Sequence, residues 1–126
     1  MTIQQAINEV DNLKPNAFGM KDKIKWLSRL DARIYEQIIC THKYNDGETE
    51  VTFTGYTPET DPETELLAGE PYDEVYVRWL EAQIDYNNME FDAFNNSNMV
   101  FESVYASFRN AYNQSHAPIG ARKIYY

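Results

Sequence analysis

The side chains with the widest chemical range are few: Cys40, His42 and His116 are the only cysteine and histidines of this chain. "CTH" at 40 to 42 offers two zinc ligands, whereas a structural zinc site takes four at characteristic spacings. As a nucleophile and its base the pair would have to meet, and residues i and i+2 on a helix point apart. A small apolar thiol, buried at a helix end, is the plainer reading of Cys40. "DPETE" places Asp61, Glu63 and Glu65 at alternate positions, in the manner of a calcium loop. Counted from Asp61, however, the Gly and Glu that an EF-hand requires at its sixth and twelfth positions are replaced by Leu66 and Tyr72. "NNSN" at 95 to 98, beside Phe94, reads as a bend or a helix N-cap. The chain has no G-x-G-x-x-G, P-loop, G-x-S-x-G or H-E-x-x-H pattern. The sequence thus points away from an enzyme and assigns no catalytic, cofactor or metal residue.

Charge is more informative. The 126 residues carry a net −9, and between Lys43 and Glu74 ten carboxylates face Lys43 alone. That window accounts for the whole imbalance, because the remainder is balanced at ten acidic and ten basic. Sequence-independent nucleic-acid binding needs a basic footprint, which is not what this pattern offers. A contact with a basic partner is what it favours.

The elements that must carry this charge are helical. "TIQQAINEVDNL" sets Ile3, Ala6, Ile7 and Val10 on one face behind a Thr2 N-cap. A second helix is expected from Gly19, through "KDKIKWLSRLDARIYEQIICTH", with Ile24, Leu27, Leu30 or Asp31, Ile34 and Ile38 as its stripe. Pro71 is expected at the first position of a third helix, with Tyr72, Val75 or Tyr76, Trp79, Gln83 and Tyr86 on one side and Leu80 and Ile84 widening that face. After a break at Asn87–Met89, a last helix over about 90 to 115 carries Phe94, Phe101 and Phe108, with Met99, Val104, Tyr105 and Tyr112 filling the same face. The fold class is mainly α: a small three- to four-helix bundle with a long acidic loop between the second and third helices. Residues 1–116 form one helical domain with an insertion at 43–70, and 117–126, ending "ARKIYY", form a short tail.

Within the insertion the period changes. Asn45-Asp46-Gly47 is a turn signal, and Thr49, Val51 and Phe53 alternate with Glu50, Thr52 and Thr54, which predicts a short strand or half of a hairpin at about 49 to 54. Residues 56 to 69 have no period, and so long a connection in a compact domain is usually functional or mobile. Ten tyrosines are more than such a bundle can bury, so some of Tyr44, Tyr56, Tyr125 and Tyr126 should be exposed, a composition suited to interfaces. No apolar run approaches the roughly 20 residues of a membrane span. The start "MTIQQAINEV" has no signal-peptide character, so "NNS" at 95 to 97 is not read as a glycosylation site. The single cysteine fits a reducing cytoplasm.

From residue 21 onward the chain resembles a family of small proteins encoded in the structural gene clusters of tailed phages and prophages of Gram-positive bacteria, the head–tail connector, adaptor or head-completion proteins. The resemblance is carried by "KIKWLSRLDARIYEQI", then an acidic loop, "LL", "PYDEVY", "AQIDYNN", "FNNS" and an aromatic helix ending "YNQSH". Gly19 departs from the pattern, which favours a Ser-type cap there. The resemblance implies a small helical bundle with an extended loop between its central helices. It also implies a homo-oligomeric ring at the portal vertex of the virion, made in the host cytoplasm, bound to the portal protein and to other neck or tail proteins, with the subunit a monomer when alone. On that reading residues 43–70 are an arm that holds a neighbour, strand-capable at 49–54, stiffened by Pro58, Pro62 and Pro71, and too charged to collapse onto its own core. Strand addition would satisfy its backbone, and its carboxylates would repel passing DNA. The partner-binding residues expected are Val51, Phe53, Tyr56, Glu59, Asp61, Glu63 and Glu65 in the loop, with Tyr125 and Tyr126 in the tail. The alternative is an acidic DNA mimic or inhibitor acting on a basic partner.

Overall fold

The computed structural model describes residues 1–119. They form four helices, α1 (Ile3–Leu13), α2 (Met20–Ile34), α3 (Glu74–Asn87) and α4 (Phe91–Ser115). No strand is present among them; only the isolated bridges Thr2–Glu65 and His42–Pro118 are extended pairings. The strand expected at 49–54 is therefore a correction. Its alternation has no partner strand to complete a ladder, and the local backbone is satisfied otherwise: the Tyr44 hydroxyl accepts from the Val51 N–H at 3.0 Å and donates to the Val51 carbonyl at 3.3 Å.

Each helix begins where its local chemistry allows. Thr2 caps α1 in a capping box, its Oγ1 accepting from the Gln5 N–H at 3.1 Å while the Gln5 side chain accepts from the Thr2 N–H at 2.9 Å, which satisfies two otherwise orphan donors. Gly19 is the N-cap of α2, with Asp22 in the first turn facing the positive end of the helix dipole. α3 begins at Glu74, three residues after the Pro71 expected at its first position, because a turn in which the Tyr72 N–H donates to the Gly69 carbonyl comes first.

α3 and α4 form an antiparallel hairpin with the largest interface of the molecule, and α1 and α2 pack against α3. The core contains Ile3, Ala6, Ile7 and Val10 of α1, the expected α2 stripe, Val75, Tyr76, Val77, Leu80 and Ile84 of α3, and Phe101, Tyr105 and Phe108 of α4. Trp79 meets Phe101 at a centroid distance of 5.0 Å, and its indole N–H donates to the Trp26 carbonyl at 2.8 Å. Two positions expected on the apolar faces are exposed instead: Tyr86, at 53%, and Met99, at 71%. α4 buries a single face, at Phe101, Tyr105 and Phe108, which does not include Met99, and Tyr86, in the last turn of α3, meets Phe91 and Phe94 at the open end of the hairpin. Asn95–Asn98 belong to α4 rather than to a bend. Ser97 there donates to Asp85 Oδ2 at 2.8 Å.

α2 does not stop at Ile34. Tyr35–Ile39 continue it as a π-helical turn, closed by the Cys40 N–H donating to the Tyr35 carbonyl at 2.8 Å. A wider turn absorbs one extra residue, so Ile38 and Ile39 both reach the core and Cys40 is turned outward. The thiol is exposed, contrary to the buried thiol expected. His42 closes this end: its ring nitrogens lie 2.6 Å from the Ile38 carbonyl and 2.6 Å from Asn113 Oδ1. Residues 117–119 lie alongside, with the Lys43 N–H donating to the Ala117 carbonyl and the Ile119 N–H to that of Thr41.

Candidate functional site

The acidic segment is built onto the bundle, and one side chain of α2 organises it. Asp31 has no exposed surface. Its carboxylate accepts from the hydroxyls of Tyr56 and Tyr76, at 2.5 and 2.6 Å, and from the Leu67 N–H at 3.1 Å. The Tyr76 hydroxyl in turn accepts from the Ala68 N–H at 2.6 Å. Burial pushes the Asp31 carboxyl above its ordinary range, and the three donors only partly offset this. Burial, with the neighbouring Asp31 charge, raises the Tyr56 and Tyr76 hydroxyls too, so both stay protonated donors. An isolated buried carboxylate is costly; here each oxygen has a partner, and no buried side-chain nitrogen or oxygen among the described residues lacks one.

This hub fixes both ends of the loop. At one end the Tyr56 N–H donates to Ser28 Oγ at 2.9 Å, and the Tyr56 ring meets Phe53 edge-on at 5.0 Å. Gly55, at φ +104°, makes the bend that allows it. At the other end Leu66 and Ala68 are buried in the core. Between them the backbone runs along the start of α1: the Ile3 N–H donates to the Thr64 carbonyl at 3.0 Å, the Gln4 N–H to that of Pro62 at 2.9 Å, and the Leu66 N–H to that of Met1 at 3.0 Å. Two turns, Thr57–Thr60 and Asp61–Thr64, give the segment its shape. The expectation that it is too charged to collapse onto its own core is thus corrected. Its backbone and its apolar residues pack inward while its carboxylates point outward.

The expected partner-binding residues consequently separate. Glu59, Asp61 and Glu63 are exposed and form an outward belt with no cation within 4 Å among the described residues. Glu65 is also exposed but is paired with the Met1 ammonium at 3.3 Å, and Asp73 lies 3.4 Å from the same group. Val51 and Phe53 are half-buried, and the Tyr56 hydroxyl serves the hub. Tyr125 and Tyr126 lie outside the described residues.

Beside the belt runs an open groove between α2 and the turn at Tyr56–Pro58. Ala32, Tyr56 and Pro58 contribute apolar surface over the buried Ile24, and Lys21, Lys25 and Arg29 stand along its edge, with Asp22 as the one carboxylate among the lining residues. These three cations are exposed, lie one helical turn apart, and have no carboxylate within 4 Å among the described residues. Asp31 and this groove were not singled out from the sequence as functional features. The available signals were an acidic residue standing in the apolar stripe, and Lys or Arg at every fourth position.

Elsewhere the polar clusters are structural. Lys14 Nζ lies 2.6 and 2.7 Å from the Asp85 oxygens, tying the end of α1 to α3. Lys23 is paired with Asp11 at 2.7 Å and donates to the Phe18 carbonyl at 2.6 Å. His116 stacks on Tyr112 with centroids 3.9 Å apart, its Nε2 3.0 Å from the Glu48 carboxylate. Among the described residues no three His, Cys, Asp or Glu converge as metal ligands, and no helix is long and apolar enough to cross a membrane. In comparisons with known proteins, no family model, no curated protein and no solved structure matches the chain.

Proposed function

We propose that this chain is a structural assembly protein of the head–tail connector kind, which works through contacts rather than catalysis, joining a ring at the portal vertex of a tailed phage. The observation that carries the proposal is the belt. Glu59, Asp61 and Glu63 project from a loop whose backbone is fixed at both ends by Asp31 and by α1. Such a surface loses little freedom on binding, so its charge is available for a partner. The resemblance over residues 21 to 116 supports the same reading and supplies the partner class, a portal or neck protein with a basic contact surface. Contact through side-chain charge replaces strand addition, since the 49–54 segment is not a strand.

Because Tyr56, Leu66 and Ala68 belong to the fold, removing residues 56 to 65 would damage the bundle and test nothing. The triple variant Glu59→Lys, Asp61→Lys, Glu63→Lys changes only exposed side chains. The test is co-sedimentation of each protein with the portal protein encoded beside it, followed by electron microscopy of the heavy fraction. The wild type is expected to seat as a ring and the variant to stay light. A variant that seats as well as wild type removes the belt from the mechanism. A wild type that stays light, and forms instead a small complex with a basic protein that DNA competes away, replaces the connector with the acidic inhibitor.

A further inference from the structure

The belt and the groove carry opposite charge and share a border. Thr57 and Pro58 line the groove, and Glu59 is the next residue along the chain. Yet neither set of charges is paired within the subunit. Lys21, Lys25 and Arg29 have no carboxylate within 4 Å among the described residues, and Glu59, Asp61 and Glu63 have no cation. The cations are four residues apart on a helix, roughly 6 Å per step, and so form a continuous row along one edge of the groove.

We infer that this face binds a second copy of the chain, with Lys21, Lys25 and Arg29 of each copy against Glu59, Asp61 and Glu63 of the other across a two-fold axis. Adjacent patches of opposite sign become self-complementary when one copy is turned by half a rotation, the condition for an isologous contact. The apolar surface of Ala32, Tyr56 and Pro58 adds buried area that exposed ion pairs alone do not supply. Nucleic acid fits the face less well, because the acidic belt, part of the segment that carries the net −9, borders the groove and repels a polyanion. The inference rests on the assembly reading above only in naming what the face is for: a free pair covers the belt until a portal surface displaces the second copy.

Ionic strength separates the forces involved. Two chains of net −9 repel at long range, and about 0.1 M salt, with a Debye length near 10 Å, screens that repulsion while leaving close pairs intact; about 1 M salt, near 3 Å, weakens the pairs as well. Sedimentation velocity of the full chain at both salts is the experiment. The wild type should be a reversible dimer whose association constant falls at least about tenfold between them. The triple variant Lys21→Glu, Lys25→Glu, Arg29→Glu and the belt triple to Lys should each be monomeric alone, and their equimolar mixture should dimerise, since one groove–belt contact is then restored with reversed sign and the other pairs the two unaltered patches. Circular dichroism and tryptophan emission should match wild type for both, because all six side chains are exposed.

A wild-type monomer at the lower salt, a triple variant that still dimerises, or a mixture that stays monomeric overturns the inference. So does an oligonucleotide retained by the wild type and lost with the α2 triple. Portal co-sedimentation separates the two readings: the belt triple should lose it, whereas the α2 triple should keep it. A salt-sensitive dimer that never seats on a portal defeats the connector alone. A portal-seated ring from a protein monomeric when free defeats the dimer alone.

Discussion

Replacing Asp31 with alanine would remove the acceptor on which three donors converge. Two of them, the Tyr76 hydroxyl and the Leu67 N–H, end up inside with no acceptor, and an unsatisfied buried group costs about 1–3 kcal/mol. The Tyr56 hydroxyl is nearer the surface and finds water, so it adds little. Against this, the variant no longer buries a carboxyl whose burial is unfavourable to its charge. The balance is a loss of about 3 kcal/mol, a large share of the 5–15 kcal/mol that stabilises a domain. Urea unfolding followed by the emission of Trp26 and Trp79, both packed at the core, should show a midpoint lowered by on the order of 2 M with little change in slope. Tyr56→Phe supplies the control. In wild type it removes a hydrogen bond to Asp31 and should cost about 1–2 kcal/mol; in the Asp31→Ala background it should cost nothing or stabilise. A loss below about 1 kcal/mol for Asp31→Ala, or an equal Tyr56→Phe cost in both backgrounds, would refute the view that this carboxylate organises the loop.

Three further outcomes are expected. Since burial raises the Asp31 carboxyl above its unfolded value near 3.8, the folded chain holds that proton more tightly than the unfolded one. The stabilising contribution is therefore full below pH 3.8 and is lost as pH rises through the raised value. The advantage of wild type over Asp31→Asn should accordingly shrink from pH 4 to pH 7 in urea titrations, and an advantage that grows contradicts the sign. Lys14→Met leaves the buried Asp85 with Ser97 as its remaining side-chain donor. Because Lys14 is partly solvated, the expected loss of about 2 kcal/mol lies below the full buried-pair value, and the same titration reads it. Gly55→Ala keeps an ordinary 3.6 Å contact with Ser28 Oγ but forces φ +104° on a residue with a Cβ; about 1–2 kcal/mol of backbone strain should appear as a drop of several degrees in Tm.

The helices were legible because burial of one face imposes a period that a sequence displays. Ile3, Ala6, Ile7 and Val10, and Ile24 through Ile38, are buried as their spacing requires. What escaped is whatever depends on a second segment. The alternation at Thr49–Thr54 is that of a strand, but a strand exists only with a partner, and the Tyr44 hydroxyl bonded this backbone first. Cys40 faces solvent because the π-helical turn shifts the phase by one residue, which a fixed 3.6-residue period cannot anticipate. Tyr86 and Met99 are apolar enough for a core, and only the arrangement of the neighbouring helices leaves them uncovered. The charges of the belt were visible in composition; their anchorage was not, because the donors to Asp31 come from beyond its own helix.

Those donors lie 25, 36 and 45 positions from Asp31 along the chain, and this bears on the order in which the molecule matures. The α3–α4 hairpin closes over a short turn, while the Asp31 contacts must close far larger loops, whose entropic cost rises with length, and non-local contacts of this kind slow folding. The loop cannot take its shape until α2 and α3 have met, since Tyr76 supplies one side of the hub. A half-folded chain therefore presents its carboxylates on a floppy tether, and only a finished one presents them as a fixed surface. An assembly that selects the fixed surface would select finished subunits with it, proofreading each newly made copy without a separate chaperone.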